Sequence, residues 1–401
     1  MIKRIRSDQL QPGMFVHDLN CGWMDHPFVF NSFRVEDQQM IDQVIASGVR
    51  ELYIDSEKGD DVADAQTHDE FHAEIHQQIT SLAESHVIKQ PVHASFKEEM
   101  SHAKAVYSEA HNVVHNLMSD IKLGKQITLE KLSPVVEHIT DSIFRNQDAF
   151  ISMARIKQKD EYTFQHSVSV CALMVAFSRE MGCEKDVILE AGLGGLLHDV
   201  GKMRVPDEIL NKPGQLSDSE FAIMKSHADI GRRLLRQTPG IPEVVVVIAG
   251  QHHERYDGTG YPDRIKHDEI SQLGQMAAIV DVYDALTSER VYHKGMEPTA
   301  ALKKLFEWSK FHFNAELVRR FINLIGIYPV GSLVRLESGM LGIVAKAGRE
   351  NLLRPIVRAV YTVKHNHFVA PHDIDLAVQL SDRIVQHEST HRWGIDPFKY
   401  L

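Results

Sequence analysis

Apolar residues recur along this chain in three different rhythms. Up to about residue 60, short apolar pieces (Gly13-Met14-Phe15-Val16, Phe28-Val29-Phe30, Leu52-Tyr53-Ile54) alternate with turn residues, while Met40, Ile41, Val44 and Ile45 fall at helical spacing. That mixture predicts a small α+β module. From Ser56 to Asp69 the chain is acidic and polar, as a linker or exposed loop would be, and residues 70–150 read as long polar helices broken near Pro91 and Gly124. Between 150 and 328, Ala, Leu, Met and Val recur every three to four positions, so this stretch is expected to be mainly helical. The run Val244-Val245-Val246-Val247-Ile248 is β-branched and would suit a strand by propensity alone. Its neighbours on both sides are helical, and a buried helix is expected there too. After Tyr328-Pro329 the rhythm shortens again: Ser332–Leu336, Gly342–Ala345 and Pro355–Tyr361 predict a strand segment over 329–380, followed by a polar tail.

The expected fold class is mainly α: a helical central domain with a small α+β N-terminal domain and a short β-rich C-terminal appendix. The expected boundaries are 1–127, 128–328 and 329–401.

Composition adds limits. With 401 residues, 43% hydrophobic and 25% charged, the chain can bury sizeable cores without disulfide staples. The three cysteines, Cys21, Cys171 and Cys183, have no CxxC spacing and are expected to be free thiols. No apolar run approaches the length of a membrane span and the first residues lack a signal-peptide pattern, so a cytoplasmic protein without a membrane partner is expected. The net charge of −11 speaks against duplex nucleic acid as a partner, because that binding rests on many Lys/Arg–phosphate contacts. The unusual count is 24 histidines.

Some of these fall on polar helices. His68, His72 and His76 recur at i, i+4, i+8, and His111 and His115 repeat the spacing. No further ligands accompany them, and a solvated helix face is the expected reading. The central region differs. His166 opens an apolar helix, His198-Asp199 ends the run Leu193–Leu197, His227 follows Lys225-Ser226, His252-His253 ends the valine run, and Asp281 sits within Ala278–Asp284. Burying so many polar heads without partners would cost several kcal/mol, on the order of 2–7 for each group. A shared metal centre would satisfy them together, and the mix of imidazole and carboxylate suits iron, manganese or zinc.

The series His166…His198-Asp199…His227…His252-His253…Asp281 resembles the HD-domain metal-dependent phosphohydrolases. The stretch His252-His253-Glu254-Arg255-Tyr256-Asp257-Gly258-Thr259-Gly260-Tyr261-Pro262 is similar to the signature of the HD-GYP subclass, bacterial cyclic-dinucleotide phosphodiesterases. The resemblance covers roughly residues 130–328, and the first 60 or so residues more loosely resemble a domain found ahead of some HD-GYP domains. It implies that the central domain is all-helical, with metal ligands at His166, His198, Asp199, His227, His252, His253 and Asp281 and with Asp199 bridging two ions. It further implies a water between the metals as nucleophile, Asp199 and Lys202 as the catalytic pair, and substrate contacts from Lys202, Tyr261, Asp284, Arg290 and Lys294.

Two divalent ions are expected, iron first, then manganese or another transition metal. Family members with a third carry a glutamate one helical turn before the first histidine, where this chain has Tyr162, with Glu161 rotated off that face. A basic residue usual in the family three positions after Arg290 is here His293, followed by Lys294. From the residues alone, Lys202 also reads as a helix-end cation and Arg290 as an ion-pair partner of Asp284.

The implied activity is hydrolysis of cyclic di-GMP or 3′3′-cGAMP to the linear dinucleotide, with onward cleavage to mononucleotides as an extension. The alternatives are a non-catalytic cyclic-dinucleotide receptor and a di-iron oxygenase or nucleotidase of the HD superfamily. The long polar helical connector is compatible with a homodimer.

Overall fold

The computed structural model describes residues 1–21, 32–84, 93–154, 162–212, 214, 216–288, 295–348 and 351–401. The expected piece Phe28–Phe30, the break at Pro91, Glu161, and the residues Arg290, His293 and Lys294 lie outside them.

At the N-terminus, β1 (Ile2–Arg6), β2 (Phe15–Asp18), β3 (Phe33–Arg34) and β4 (Glu51–Asp55) form an antiparallel sheet in the order β1-β4-β2-β3. Alternate residues of β1 turn inward, as a half-buried strand requires, and Ile5, Val16, Leu52 and Ile54 meet Ile41 and Val44 of α1 (Gln38–Ala46) in a small core. Asp37 caps α1, its carboxylate accepting from the Met40 N–H at 2.9 Å. The acidic stretch 56–69 is tethered here: Lys3 Nζ donates to Asp61, and Arg4 N–H donates to the Gln66 carbonyl.

The chain from residue 68 to 325 is mainly helical, as expected both for the polar stretch 70–150 and for the apolar periodicity of 150–328. It contains α2 (His68–Glu84), α3 (Phe96–Lys122), α4 (Leu129–Ala154), α5 (Tyr162–Glu180), α6 (Lys185–Leu197), α7 (Asp207–Leu210), α8 (Asp218–Lys225), α9 (His227–Arg236), α10 (Glu243–Gln251), α11 (Gln272–Thr287), α12 (Pro298–Trp308) and α13 (Ala315–Ile325). Gly124, in left-handed backbone at φ 83°, ends the α3 segment. One continuous apolar core runs from Phe71 in α2 to Ile325 in α13. The helices α3 and α4 are pinned by a buried carboxylate: Glu99 accepts from Ser142 Oγ at 2.6 Å and from Arg145 Nε at 2.7 Å. The valine run is helical, forming α10 with Val245, Val246, Ile248 and Ala249 fully enclosed. Burial on nearly all sides overrides the strand preference of β-branched side chains there.

The C-terminal segment is a five-stranded antiparallel sheet of β5 (Leu333–Leu336), β6 (Met340–Lys346), β7 (Ile356–Thr362), β8 (His367–Asp375) and β9 (Ile384–His387), in the order β8-β7-β6-β5-β9. Strand β9 extends past residue 380, where only a polar tail was expected. Ile384-Val385-Gln386-His387 is too short and too polar to announce itself. It forms because the open edge of β5 accepts it, with Val334 opposite His387. The tail beyond it also packs: α14 (Thr390–Trp393), Ile395, Tyr400 and Leu401 cover the second face of the sheet. Among the described residues, no helix is long and apolar enough to cross a membrane.

Candidate metal centre

Five helices and the turn after one of them bring polar side chains to one point. His166 projects from α5, His198 caps the C-terminal end of α6, and Asp199 opens the tight turn Val200–Arg204. His227 begins α9, His252 and His253 follow α10, and Asp281 lies within α11. All seven are buried. Gly201 makes the approach of the Asp199 turn to α9 feasible, since a Cβ there would stand 2.0 Å from the His227 carbonyl oxygen.

The Asp199 carboxylate divides the histidines into two sets. Its Oδ2 lies 3.3 Å from His198 Nε2 and 3.6 Å from His166 Nε2, and Asp281 Oδ1 closes that side at 3.1 Å from His166 Nε2. Its Oδ1 lies 3.4 Å from His227 Nε2 and 3.7 Å from His252 Nε2, with His253 beside them. The seven residues named from the sequence thus converge on two adjacent positions joined by one carboxylate. His253 also approaches Asp281, Nδ1 to Oδ2, at 3.9 Å.

The donor chemistry fits cations at those positions. His198, His227 and His252 each turn Nδ1 to a backbone carbonyl, of Gly195, Met224 and Ala249, at 2.7–2.9 Å. A neutral ring that donates through Nδ1 carries a lone pair on Nε2. Yet Nε2 of His227 faces Nε2 of His252 at 3.4 Å, and Nε2 of His166 faces that of His198 at 3.1 Å. Asp199 Oδ1 and His253 Nε2 are buried with no hydrogen-bond partner. Converging lone pairs and an orphaned carboxylate oxygen are costly in a dry interior unless a cation lies between them. The cluster could hold metal, with His166, His198 and Asp199 on one side and Asp199, His227, His252 and His253 on the other.

Electrostatics favours the ligating forms. Burial, reinforced by the charge of Lys202, pushes His227 down to about 4, and burial with the neighbouring His198 pushes His252 down to about 3. Burial and His252 hold His253 well below its ordinary value. Burial works against charge on Asp199 too, but Lys202 and His198 outweigh it and keep the carboxylate ionised. Burial likewise lowers His198, yet Asp199 and Asp281 reverse the net direction and raise it, so a proton would compete with a cation at that ring.

Lys202 Nζ donates to Asp199 Oδ2 at 2.6 Å, at the edge of the cluster. The Tyr261 ring stacks on His253, with centroids 4.6 Å apart. Asp284 lies behind His166, its Oδ2 2.6 Å from Nδ1, in the place of a group that orients the ring. The histidines of the polar helices gather no ligand cluster among the described residues: His68 and His72 pack beside Tyr53, and His111 and His115 lie edge-on to Phe164.

Beside the cluster is a cavity of about 250 Å³ whose lining includes His253 and Tyr261 together with Lys225, Arg255 and Arg264. Sequence reasoning did not single out these three cations. Arg255 and Arg264 flank the Gly-Thr-Gly-Tyr turn, so proximity to that motif was the available signal. Lys225 is far from it in sequence and had none. Glu254, between His253 and Arg255, is buried and accepts from the Asp263 and Arg264 backbone N–H groups at 2.7 and 3.1 Å, bracing the loop.

The helical bundle and its ring of His and Asp residues define an HD-domain protein, and residues 143–317 match the HD domain family model. Residues 2–132 match a domain of unknown function (DUF3391). The chain belongs to the HD-GYP family of HD-domain proteins. It is 39% identical over 98% of its length, and 94% of the relative's, to the cyclic di-GMP phosphodiesterase PA4108 of Pseudomonas aeruginosa. A cyclic di-GMP phosphodiesterase of Thermotoga maritima is 37% identical over 41% of this chain and 45% of its own. The 3′3′-cGAMP-specific phosphodiesterase 1 of Vibrio cholerae is 31% identical over 62% of this chain and 54% of its own.

Proposed function

We propose that this protein is a metal-dependent phosphodiesterase that hydrolyses a cyclic dinucleotide, cyclic di-GMP or 3′3′-cGAMP, to the linear dinucleotide. The observation that carries the reading is the split of Asp199 between two histidine sets, the arrangement a carboxylate needs to span two cations. The names of relatives that share its length or its HD domain support the substrate class.

Two divalent ions, iron or manganese, would supply Lewis acidity and bring the pKa of a water to about 7. The chain's own residues do the rest. The carbonyls of Gly195, Met224 and Ala249 and the carboxylate of Asp284 hold four imidazoles in the tautomer whose Nε2 faces inward. Lys202, anchored on Asp199, presents its ammonium to a phosphate oxygen whose charge grows as the phosphodiester is attacked. Lys225 and Arg255 add positive charge to the adjoining cavity and would draw in an anionic ligand. The apolar helices around the cluster exclude bulk water, which strengthens each of these interactions.

The test is to load anaerobically purified protein with iron or manganese, offer a panel of cyclic dinucleotides, and separate the products chromatographically. Release of linear dinucleotide is expected, disappearing together with bound metal in His198→Ala and Asp199→Ala. Normal turnover in either variant would overturn the assignment. Binding without turnover in metal-replete protein would point instead to a receptor.

A further inference from the structure

The cavity beside His253 is not enclosed by the HD domain alone. One side is formed by the N-terminal module, from the C-terminal end of α1 and the turn after it: Ile45, Ala46, Ser47 and Gly48. Gly48, in left-handed backbone at φ 83°, lies against the loop that carries Tyr261; a Cβ there would stand 2.9 Å from Thr259 Cβ. Two residues on, Arg50 Nε donates to Asp257 Oδ2 at 3.0 Å. The other oxygen of Asp257 accepts from Thr259 Oγ1 at 2.6 Å and from Thr259 N–H at 3.1 Å, so Arg50 grips the residue that shapes the loop.

The module is fixed in place by a buried network. Tyr53 Oη and Asn20 Nδ2 both donate to Glu307 Oε1 at 2.7 Å, and Trp308 Nε1 donates to the Asn20 carbonyl at 2.8 Å. Burial and the Glu307 charge push the Tyr53 hydroxyl far up, so it stays a donor. Groups buried and satisfied this way resist separation, because parting them strands several polar atoms at once.

We propose that the N-terminal module supplies the outer wall of the substrate cavity, and that Arg50 is a positioning residue for the loop that carries Tyr261. This rests on the cyclic-dinucleotide reading above. The occupant is one nucleotide half of the ring-shaped substrate. The space of about 250 Å³ falls short of the ~300–1,000 Å³ usual for a whole drug-sized ligand. Its lining pairs cations, Lys225 and Arg255, with π faces, Tyr261 and Phe313, the combination that suits a phosphate joined to a base. The Arg255 guanidinium lies over the Phe313 ring at 5.3 Å and Lys225 Nζ over Tyr261 at 5.7 Å, so charge and stacking surface are presented together.

The experiment compares full-length, metal-loaded wild type with Ala46→Trp, Arg50→Ala and Arg50→Lys, measuring kcat and KM for the preferred cyclic dinucleotide and for bis(p-nitrophenyl) phosphate, a small diester that does not fill the cavity. Bound metal and melting temperature are followed in each. In Ala46→Trp the ratio of the two kcat/KM values is expected to fall about tenfold through KM, the lower end of what a pocket misfit costs. In Arg50→Ala it should fall about threefold, as loss of a half-exposed ion pair allows, and Arg50→Lys should recover most of it. Unchanged ratios in both Ala46→Trp and Arg50→Ala, against an active wild type, would overturn the wall while leaving the proposed reaction intact. A wild type that cleaves bis(p-nitrophenyl) phosphate but neither binds nor cleaves any cyclic dinucleotide would overturn the underlying reading, and this proposal with it.

Discussion

Asp284 stands behind His166, its Oδ2 2.6 Å from Nδ1 of the ring, while Nε2 of that ring points into the cluster. Asp284 is itself buried, and its Oδ2 also lies 3.4 Å from Ser288 Oγ, one turn later in the chain. An imidazole tied to a carboxylate in this way is held in one tautomer and one ring orientation, with Nε2 turned inward.

Replacing Asp284 with Asn should therefore weaken metal binding without removing a ligand. A loss of about 10–100-fold in affinity is expected, the range typical of groups that orient a metal-binding histidine. Titration of the metal-free variant with manganese, read by calorimetry, checks this. Affinity equal to wild type would show that His166 needs no such support.

Removing metal should lower stability. Facing nitrogen lone pairs, such as His227 Nε2 and His252 Nε2 at 3.4 Å, repel in the empty site and are reconciled by a cation. Manganese at about 100 times its dissociation constant should add about 2.7 kcal/mol to the unfolding free energy. That should raise the melting temperature by several degrees, a shift that shrinks in His252→Ala. Differential scanning calorimetry with and without chelator reads the effect; coincident curves would contradict it.

Acid should weaken the α3–α4 contact. Burial opposes charge on Glu99, but the hydrogen bonds from Arg145 and Ser142 outweigh it and hold the carboxyl below its ordinary value of 4.5. With the folded-state value depressed, the unfolded chain binds the additional proton. The contribution is thus complete above pH 4.5 and is lost as pH falls through the folded-state value. Because Arg145 is partly exposed, Glu99→Gln should cost about 1–2 kcal/mol at neutral pH, less than a fully enclosed pair. The variant's melting temperature should also fall less steeply with acid than that of wild type. Parallel pH profiles from 3 to 7 would dissociate Glu99 from the acid limb.

Much of the centre is legible in the chain because its polar groups come in adjacent pairs at the ends of apolar runs. His198-Asp199 closes Leu193–Leu197 and His252-His253 closes the valine run, and a helix end is where a buried bundle can bring side chains to a common point. The helical rhythm of 150–328 and the strand rhythm after 329 were equally readable, because each depends on residues a few positions apart. Strand β9 was not, since its pairing with β5 depends on an edge some fifty residues away rather than on its own four residues.

Tertiary structure alone decided the rest. It set which oxygen of Asp199 faces which histidines, placed Asp284 behind His166, brought Lys225 and Arg255 to the lining of one cavity, and laid Gly48 and Arg50 against the loop of Asp257 and Thr259. Sequence by itself determined the kinds of donor and the elements that carry them, because local periodicity and residue chemistry are written position by position. Distances between residues about 120 or 200 positions apart are set by how whole helices pack, and close packing of their apolar faces, not any local pattern, brings those groups together.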